Sequence, residues 1–379
     1  MDLGTQMSLL LGPSVAVPAP GFIAEALESV EVKIADKGRS GFQIMFKVGR
    51  SGPGDLLDYA ILKSPLLKAH VRAIIVLIMG GKPKVLMDGI ITHQQHNPGS
   101  APGTATLTIT GEDISVMLDK EEKSEEHPAQ NEMAIANKII LSYSQYGLIP
   151  MVIPPKAFDM PLPTDRIPVQ QGTDLAYLTK IAKRHGYVFY ISPGPVPMTN
   201  TAYWGPPVST APPQRALTMN MGAETNVDSI NFKYNALAPT RVEGHVQDRE
   251  TNSQSPVNTY SSTSIPLAAK PESVTNAANL RVKKLRASGL TMAQATARAQ
   301  AILDASTGEV VVGNGDLDGL RYGDLLTTRG IVGLRGAGFT YDGLYYVKSV
   351  THRIKRGEYK QQFTITREGL GAITPVVLP

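Results

Sequence analysis

Two histidines three residues apart, His93 and His96, are the first candidates for chemistry in this sequence, because imidazole is a common zinc ligand. On a strand, however, positions i and i+3 point to opposite faces. Neither the glutamate of a helical zinc-protease motif nor a third ligand follows. Asn314, Asp316, Asp318 and Gly319 copy the first half of a calcium loop. Its twelfth position is Leu325 instead of a bidentate glutamate, so the segment reads as a Gly/Asp turn. Glu121, Glu122, Glu125 and Glu126 could form a glycosidase carboxylate pair. They sit in the charged run DKEEKSEEH, which offers no apolar surroundings to raise the pKa of an acid, and the run reads as a solvated helix end or loop. With no cysteine in the chain, thiolate catalysis, disulfides and cysteine metal sites are excluded. No Gly-x-Ser-x-Gly elbow or Walker loop is present. The expectation is no catalytic residue, no metal ligand and no cofactor.

The 379 residues carry a net charge of +4, and only 18% are charged, against 35 glycines and 28 prolines. That balance favours turn-rich β structure in two to three domains. The basic residues are scattered, so no specific nucleic-acid binding is implied. The densest group, Lys283, Lys284 and Arg286, reads as a solvated or interface face. Trp204, the only tryptophan, lies in TAYWGPP and reads as an interface anchor or a packing plug for a loop. The longest apolar run, residues 73–79, is about a third of a membrane span. Asp2 stands where a signal peptide would carry Lys or Arg, so neither a membrane-spanning segment nor a signal peptide is expected.

Residues 1–20 are Gly/Pro-rich and are expected to form an extended arm. Across 21–111, Val30, Val32 and Ile34 alternate with Glu31 and Lys33, as Phe42, Ile44, Phe46 and Val48 do with Gln43, Met45 and Lys47. This is the period of half-buried strands, giving a small barrel or sandwich. From 112 the period changes. Residues 112–122 and 131–146 look helical and open a mixed α/β unit to 202. A second β block spans 203–248 and 305–369, interrupted by an insertion at 249–304. That insertion joins a Ser/Thr/Asn/Pro loop to an Ala-rich helix, opened by a capping box at Thr291 and Gln294. Ala293, Ala297 and Ala301 recur at i+4 there and allow close packing. A tail follows at 370–379.

Within the mixed unit, QQGTDLAYLTKIAKRHGYVFY (170–190) carries the densest pattern. Thr173 and Asp174 suit a helix start, Leu175, Leu178 and Ile181 share one face, and Gly186 can take the left-handed stop before a strand. This helix–Gly–aromatic pattern resembles the signature of the late control D family, the hub proteins of contractile phage baseplates. Residues 87–119, 291–304 and 319–354 resemble further family stretches in the same order. The resemblance implies an α+β, predominantly β fold. It comprises two tail-tube-like antiparallel β-barrels, the mixed α/β unit between them, and the loop-helix insertion in the second barrel. It also implies a homotrimeric ring adapting a sixfold tail tube to a threefold central spike on a separate chain. Tail tube or tube-initiator proteins and surrounding baseplate proteins would be further partners, with the genome or effector passing through the lumen. The location implied is the virion or injection-system baseplate, assembled in the bacterial cytoplasm. A cell-wall-degrading tail enzyme and a tail-tip component of a non-contractile phage are the rival readings.

These readings part at the side chains first considered. Removing a true catalytic group costs orders of magnitude in rate, whereas a scaffold has no such step. Replacing His93, His96, Glu121, Glu122, Glu125 and Glu126 by Ala or Gln should leave particle assembly and delivery near wild type. Normal assembly with collapsed infectivity or effector delivery would reveal a hidden activity.

Overall fold

Period-two alternation sets the first strands. The computed structural model describes residues 6–49, 59–101, 103–155, 163–164, 167–207, 212–247, 253–286 and 290–373. The first block holds β1 (Gln6–Gly12), β2 (Val17–Pro18), β3 (Leu27–Ala35), β4 (Gly41–Lys47), β5 (Arg72–Met79), β6 (Lys82–Asn97) and β7 (Thr106–Asp113), with short helices α1 (Gly21–Ala26) and α2 (Ala60–Lys63). Val30, Val32, Phe42, Ile44 and Phe46 face one core, while Glu31, Lys33 and Gln43 face solvent. The expected N-terminal arm is a correction: β1 pairs with β5 along its whole length, and Leu9 and Leu11 are buried. β5 is apolar on both faces and would otherwise present an open, aggregation-prone edge. Residues 1–5 lie outside the described residues.

The middle unit holds β8 (Glu122–Glu126), α3 (Glu132–Leu141), β9 (Leu148–Val152), β10 (Val169–Thr173), α4 (Asp174–Arg184), β11 (Val188–Pro193) and β12 (Asn200–Gly205). The helix expected at 112–122 is reduced to a six-residue 3₁₀ helix. β7 runs to Asp113, a 3₁₀ turn covers Ile114–Asp119, and the glutamate run is β8, paired with β10. Lys and Glu favour helix weakly, and a partner strand overrides that preference. β12 carries the unit past 202 to Gly205 and brings Trp204 into its core. Of the Pro-rich segment 150–168, residues 156–162 and 165–166 lie outside the described residues.

The last block holds β13 (Gln214–Thr218), β14 (Val227–Tyr234), β15 (Thr240–Gln247), β16 (Gln254–Asn258), β17 (Ala268–Pro271), α5 (Glu272–Thr275), β18 (Arg281–Lys284), α6 (Met292–Thr307), β19 (Val311–Asp318), α7 (Gly319–Tyr322), β20 (Ile331–Arg335), β21 (Gly343–Lys355), β22 (Glu358–Arg367) and β23 (Gly369–Ala372). The insertion starts earlier than expected. β15 leaves the main sheet to pair with β16 and β18, and its Val242 and Val246 share a small core with Val257, Leu290, Ala295 and Ala299. The expected loop thus contains β16 and β17, and Asp304 of α6 ties its Ser262 and Thr263 by hydrogen bonds of 2.7–2.9 Å. The expected tail begins as strand, since β23 pairs with β17. Residues 248–252 and 374–379 lie outside the described residues.

Two separate barrels were expected, and the described residues form no closed barrel. Instead β3 of the first block pairs with β21 of the last, making one 13-stranded sheet ordered β14-β19-β22-β21-β3-β4-β7-β6-β5-β1-β2, with β20 and β13 branching from β21. One edge of β21 serves two neighbours. Its residues 343–346 pair with β20 and residues 349–355 with β3, while β22 runs along the other edge with a register shift at Val347/Ser349. Ile354 and Tyr359 of the last block pack in the first block's core.

His352 sits at this seam, opposite Val32 on one side and Gln361 on the other. It is buried, stacked on Tyr359, with Nδ1 2.8 Å from the Tyr359 hydroxyl. Burial pushes its pKa down to about 3. An unfolded histidine titrates near pH ~6.5, so between these values the unfolded chain binds the extra proton. This contribution to stability is complete above pH ~6.5 and falls as the pH drops, by at most about 1.4 kcal/mol per pH unit. Urea unfolding across that window should show a flatter pH dependence for His352→Gln than for wild type. Parallel curves would place the acid sensitivity elsewhere.

Candidate assembly site

α4 is the element on which the middle unit is built. Thr173 caps it by accepting the Ala176 N–H at 3.2 Å. Asp174 does more than balance the helix dipole. Its carboxylate is buried and accepts from Lys123 Nζ at 2.7 Å, the Tyr143 hydroxyl at 2.6 Å and Gln170 Nε2 at 2.6 Å. Burial alone would raise the Asp174 pKa, but these three donors outweigh it and hold the group below its ordinary value. Burial, then the neighbouring Asp174 carboxylate, pushes the Tyr143 phenol up. Tyr177, Leu178, Ile181 and Ala182 are buried, with Leu175 partly buried beside them. They meet Ile135, Ile139 and Ile140 of α3 and Phe189, Ile191 and Trp204 of the adjoining strands. Trp204 is fully buried and donates Nε1–H to the Leu178 carbonyl at 3.3 Å. Its ring lies edge-on to Tyr187 at 5.1 Å. It is a core residue and not an interface anchor.

The far end of α4 joins a second unit. Arg184 and His185 converge on Glu132 at the start of α3, with His185 Nε2 at 2.5 Å. Burial would raise the Glu132 pKa, but the hydrogen bond with His185 and the charge of Arg184 outweigh it and lower it overall. Gly186 follows at φ +70°, where a Cβ would lie 2.7 Å from the Ala301 Cβ and 3.1 Å from the Ala297 carbonyl. The left-handed stop and two of the alanines on α6 are thus one contact, while Ala293 is exposed. Only a glycine meets both demands, backbone hand and close approach.

Two arginines, Arg72 buried and Arg329 half-buried, make the remaining junctions. Arg72 of β5 and Asp88 of β6 form a two-pronged ion pair with both contacts at 2.7 Å, 4% and 0% exposed. The pair reaches into the middle unit, where Arg72 also donates to the Tyr146 carbonyl at 3.0 Å and Asn200 Nδ2 donates to Asp88 at 3.0 Å. Arg329, at φ +66°, donates Nη2–H to the Ala35 carbonyl at 2.6 Å and lies 3.6 Å over the Tyr190 ring of β11. Burial pulls its pKa down from that of a free guanidinium, yet arginine stays charged. Sequence reasoning missed both arginines. Each is an ordinary charged residue in a strand or turn, and only the fold brings its partners near.

The groups first considered for chemistry do not converge. His93 and His96 are exposed on β6, bonded to the Thr92 hydroxyl at 2.9 Å and the Thr106 carbonyl at 3.1 Å. The four glutamates lie exposed on or beside β8. Asn314, Asp316 and Asp318 do not form a turn. They share the outer face of β19, which is paired on both edges and cannot wrap around an ion. The inward positions Gly313 and Gly315 approach Phe232, Ile365 and Phe363. Among the described residues no group of three His, Asp or Glu side chains is placed to hold a metal, and no helix is long and apolar enough to cross a membrane.

No protein-family model matches this sequence, and no curated protein does. Solved structures do. The tail protein of Neisseria meningitidis MC58 aligns with a TM-score of 0.66 at 14% identity, over 97% of this chain and 98% of that one. The 43 kDa tail protein of prophage MuSo2 from Shewanella oneidensis aligns at 0.65 and 13%, over 96% and 99%. The Escherichia coli c3393 protein, a component of the type VI secretion system, aligns at 0.53 and 14%, over 93% and 77%. The fold of this chain is that of phage tail and injection-system proteins.

If α4 is the keystone of the middle unit, its two kinds of contact should separate by mutation. Leu178→Asp loses packing worth about 2–5 kcal/mol and buries a charge besides, so misfolding is expected. Gly186→Ala should cost about 1–3 kcal/mol from backbone strain and overpacking, and Ala301→Gly should recover part of that loss. Denaturant unfolding of the single and double variants measures the coupling. Strict additivity would show that the α6 contact is not what requires a glycine.

Proposed function

We propose that this chain is the central structural hub of a tail or injection-system baseplate, acting without catalysis. The observation that carries the reading is fold likeness over nearly the whole length of two tail proteins. The residue patterns of 87–119, 170–190, 291–304 and 319–354 support the finer assignment to a late control D type hub of a contractile system. In this reading the two β blocks, one on each side of the β3–β21 seam, are the two tube-like units of each chain. Three chains then present six similar units to a sixfold tube, and the other end keeps threefold symmetry for a trimeric spike. A ring of repeated heterologous contacts closes when the rotation between neighbours matches, and duplication within the chain reconciles the two symmetries. The partners are two further copies, the spike, tube or tube-initiator proteins and surrounding baseplate proteins. The site of action is the virion tail or its secretion counterpart.

The scattered placement of every candidate acid, base and metal ligand supports a scaffold over a cell-wall hydrolase. Native mass spectrometry and electron microscopy of the purified protein, alone and with its spike partner, test the proposal. A three-chain ring with a central hole is expected. Sixfold rings, or monomers at every concentration even with the spike present, would overturn it.

A further inference from the structure

A polar cleft of about 130 Å³ opens where β13 and β20 end side by side, with Thr218 paired to Arg335. Arg215, Arg321 and Arg335 line it together with Thr218, Glu224 and Asn226. Its floor is rigid. Asn226 is buried, accepts the Thr218 N–H at 2.9 Å and donates to the Ala216 carbonyl at 3.0 Å. Arg335, with a side chain only 17% exposed, is aimed by its Nε donation to the Thr218 hydroxyl at 2.9 Å. Arg215 is held by Nη1 donation to the Tyr322 carbonyl at 2.6 Å. Arg321 stands at the rim, 64% exposed, and its nearest carboxylate is Asp318 at 3.7 Å. The other oxygen of Asp318 caps α7.

Three guanidiniums therefore face two carboxylates, and one of these is a loosely placed occupant. Glu224 sits on a 3₁₀ turn, 67% exposed, and reaches Arg335 at 2.9 Å. A pair whose glutamate is this exposed is screened by solvent and contributes little stability, so the departure of Glu224 costs little. Planar guanidiniums on a fixed floor suit carboxylate recognition, and the cleft already takes a carboxylate from its own chain. A nucleic-acid backbone would need positive charge spread along a track and rings for stacking. Here the charge converges on one small cleft, and among the described residues no aromatic ring lines it.

We propose that this cleft is a receptor for an aspartate or glutamate side chain on an acidic segment of a partner protein, which takes the place of Glu224. If the hub reading holds, the segment belongs to a neighbouring protein of the particle. The carboxylate chemistry stands on the cleft alone, and its test needs no assembled ring.

Binding of a short fluorescent Asp/Glu-rich peptide to the full chain would be followed by anisotropy, with the Asn/Gln version as control. Saturable, salt-sensitive binding is expected for the acidic peptide only. Glu224→Gln should tighten it severalfold by removing the internal competitor, and Arg335→Gln should weaken it about tenfold. Arg321→Gln, at the exposed rim, serves as the second variant if Arg335→Gln fails to fold, and should also weaken binding. The proposal is overturned by absence of saturable binding to both wild type and Glu224→Gln, or by affinity indifferent to the arginine variants. It is equally overturned if inorganic phosphate or a single-stranded oligonucleotide competes better than the unlabelled peptide.

Discussion

Along one edge of β21, β20 and β3 abut end to end, and the rest of the molecule depends on how that junction is closed. Where one neighbour stops and the other begins, the ladder would leave carbonyls unpaired in a buried place, at a cost of about 1–3 kcal/mol each. Arg329 stands at the gap. Its backbone N–H bonds the Val347 carbonyl at 2.9 Å, its guanidinium takes the Ala35 carbonyl, and its charged face lies on Tyr190. One side chain thus connects both β blocks and the middle unit. Lysine could not substitute, because a point charge cannot present a planar fork to carbonyls and a flat face to a ring at once.

Each block has its own apolar cluster, with Ile354 and Tyr359 of the last block packed into that of the first, and polar contacts also cross between blocks: Asp88 with Asn200, Arg72 with the Tyr146 carbonyl, and Arg329 with the Ala35 carbonyl. A buried ion pair or hydrogen bond is satisfied in one register only, since breaking it leaves an unpaired charge or donor. The polar junctions therefore set how the blocks are oriented.

The contact between α4 and α6 adds a second kind of constraint. Gly186 and the alanines of α6 let two backbones approach closely, which ties the insertion to the middle unit without any polar group. The helix of the insertion is thus braced at neighbouring turns, by Asp304 to the loop and by Ala297 and Ala301 to Gly186 of the neighbouring unit.

Local pattern was enough to determine the strands with clean alternation, such as β3 and β4, the helix α4 with its buried Leu178 and Ile181, and the capping box of α6. In each, burial on one face imposes a period that survives in the sequence. Other elements carried no such mark. β8 reads as a solvated helix end or loop because its Glu and Lys run has no alternating apolar residues, and becomes a strand because β10 offers a partner edge. β19 reads as a calcium-like turn because glycines replace its inward apolar residues where Phe232, Phe363 and Ile365 fill the space. The pairing of β3 with β21 joins residues some three hundred positions apart, and the Ala35 carbonyl that Arg329 takes is 294 positions away from it. Hydrogen bonds between distant backbone atoms leave no periodicity, so one sheet instead of two barrels was decided only when the tertiary structure formed.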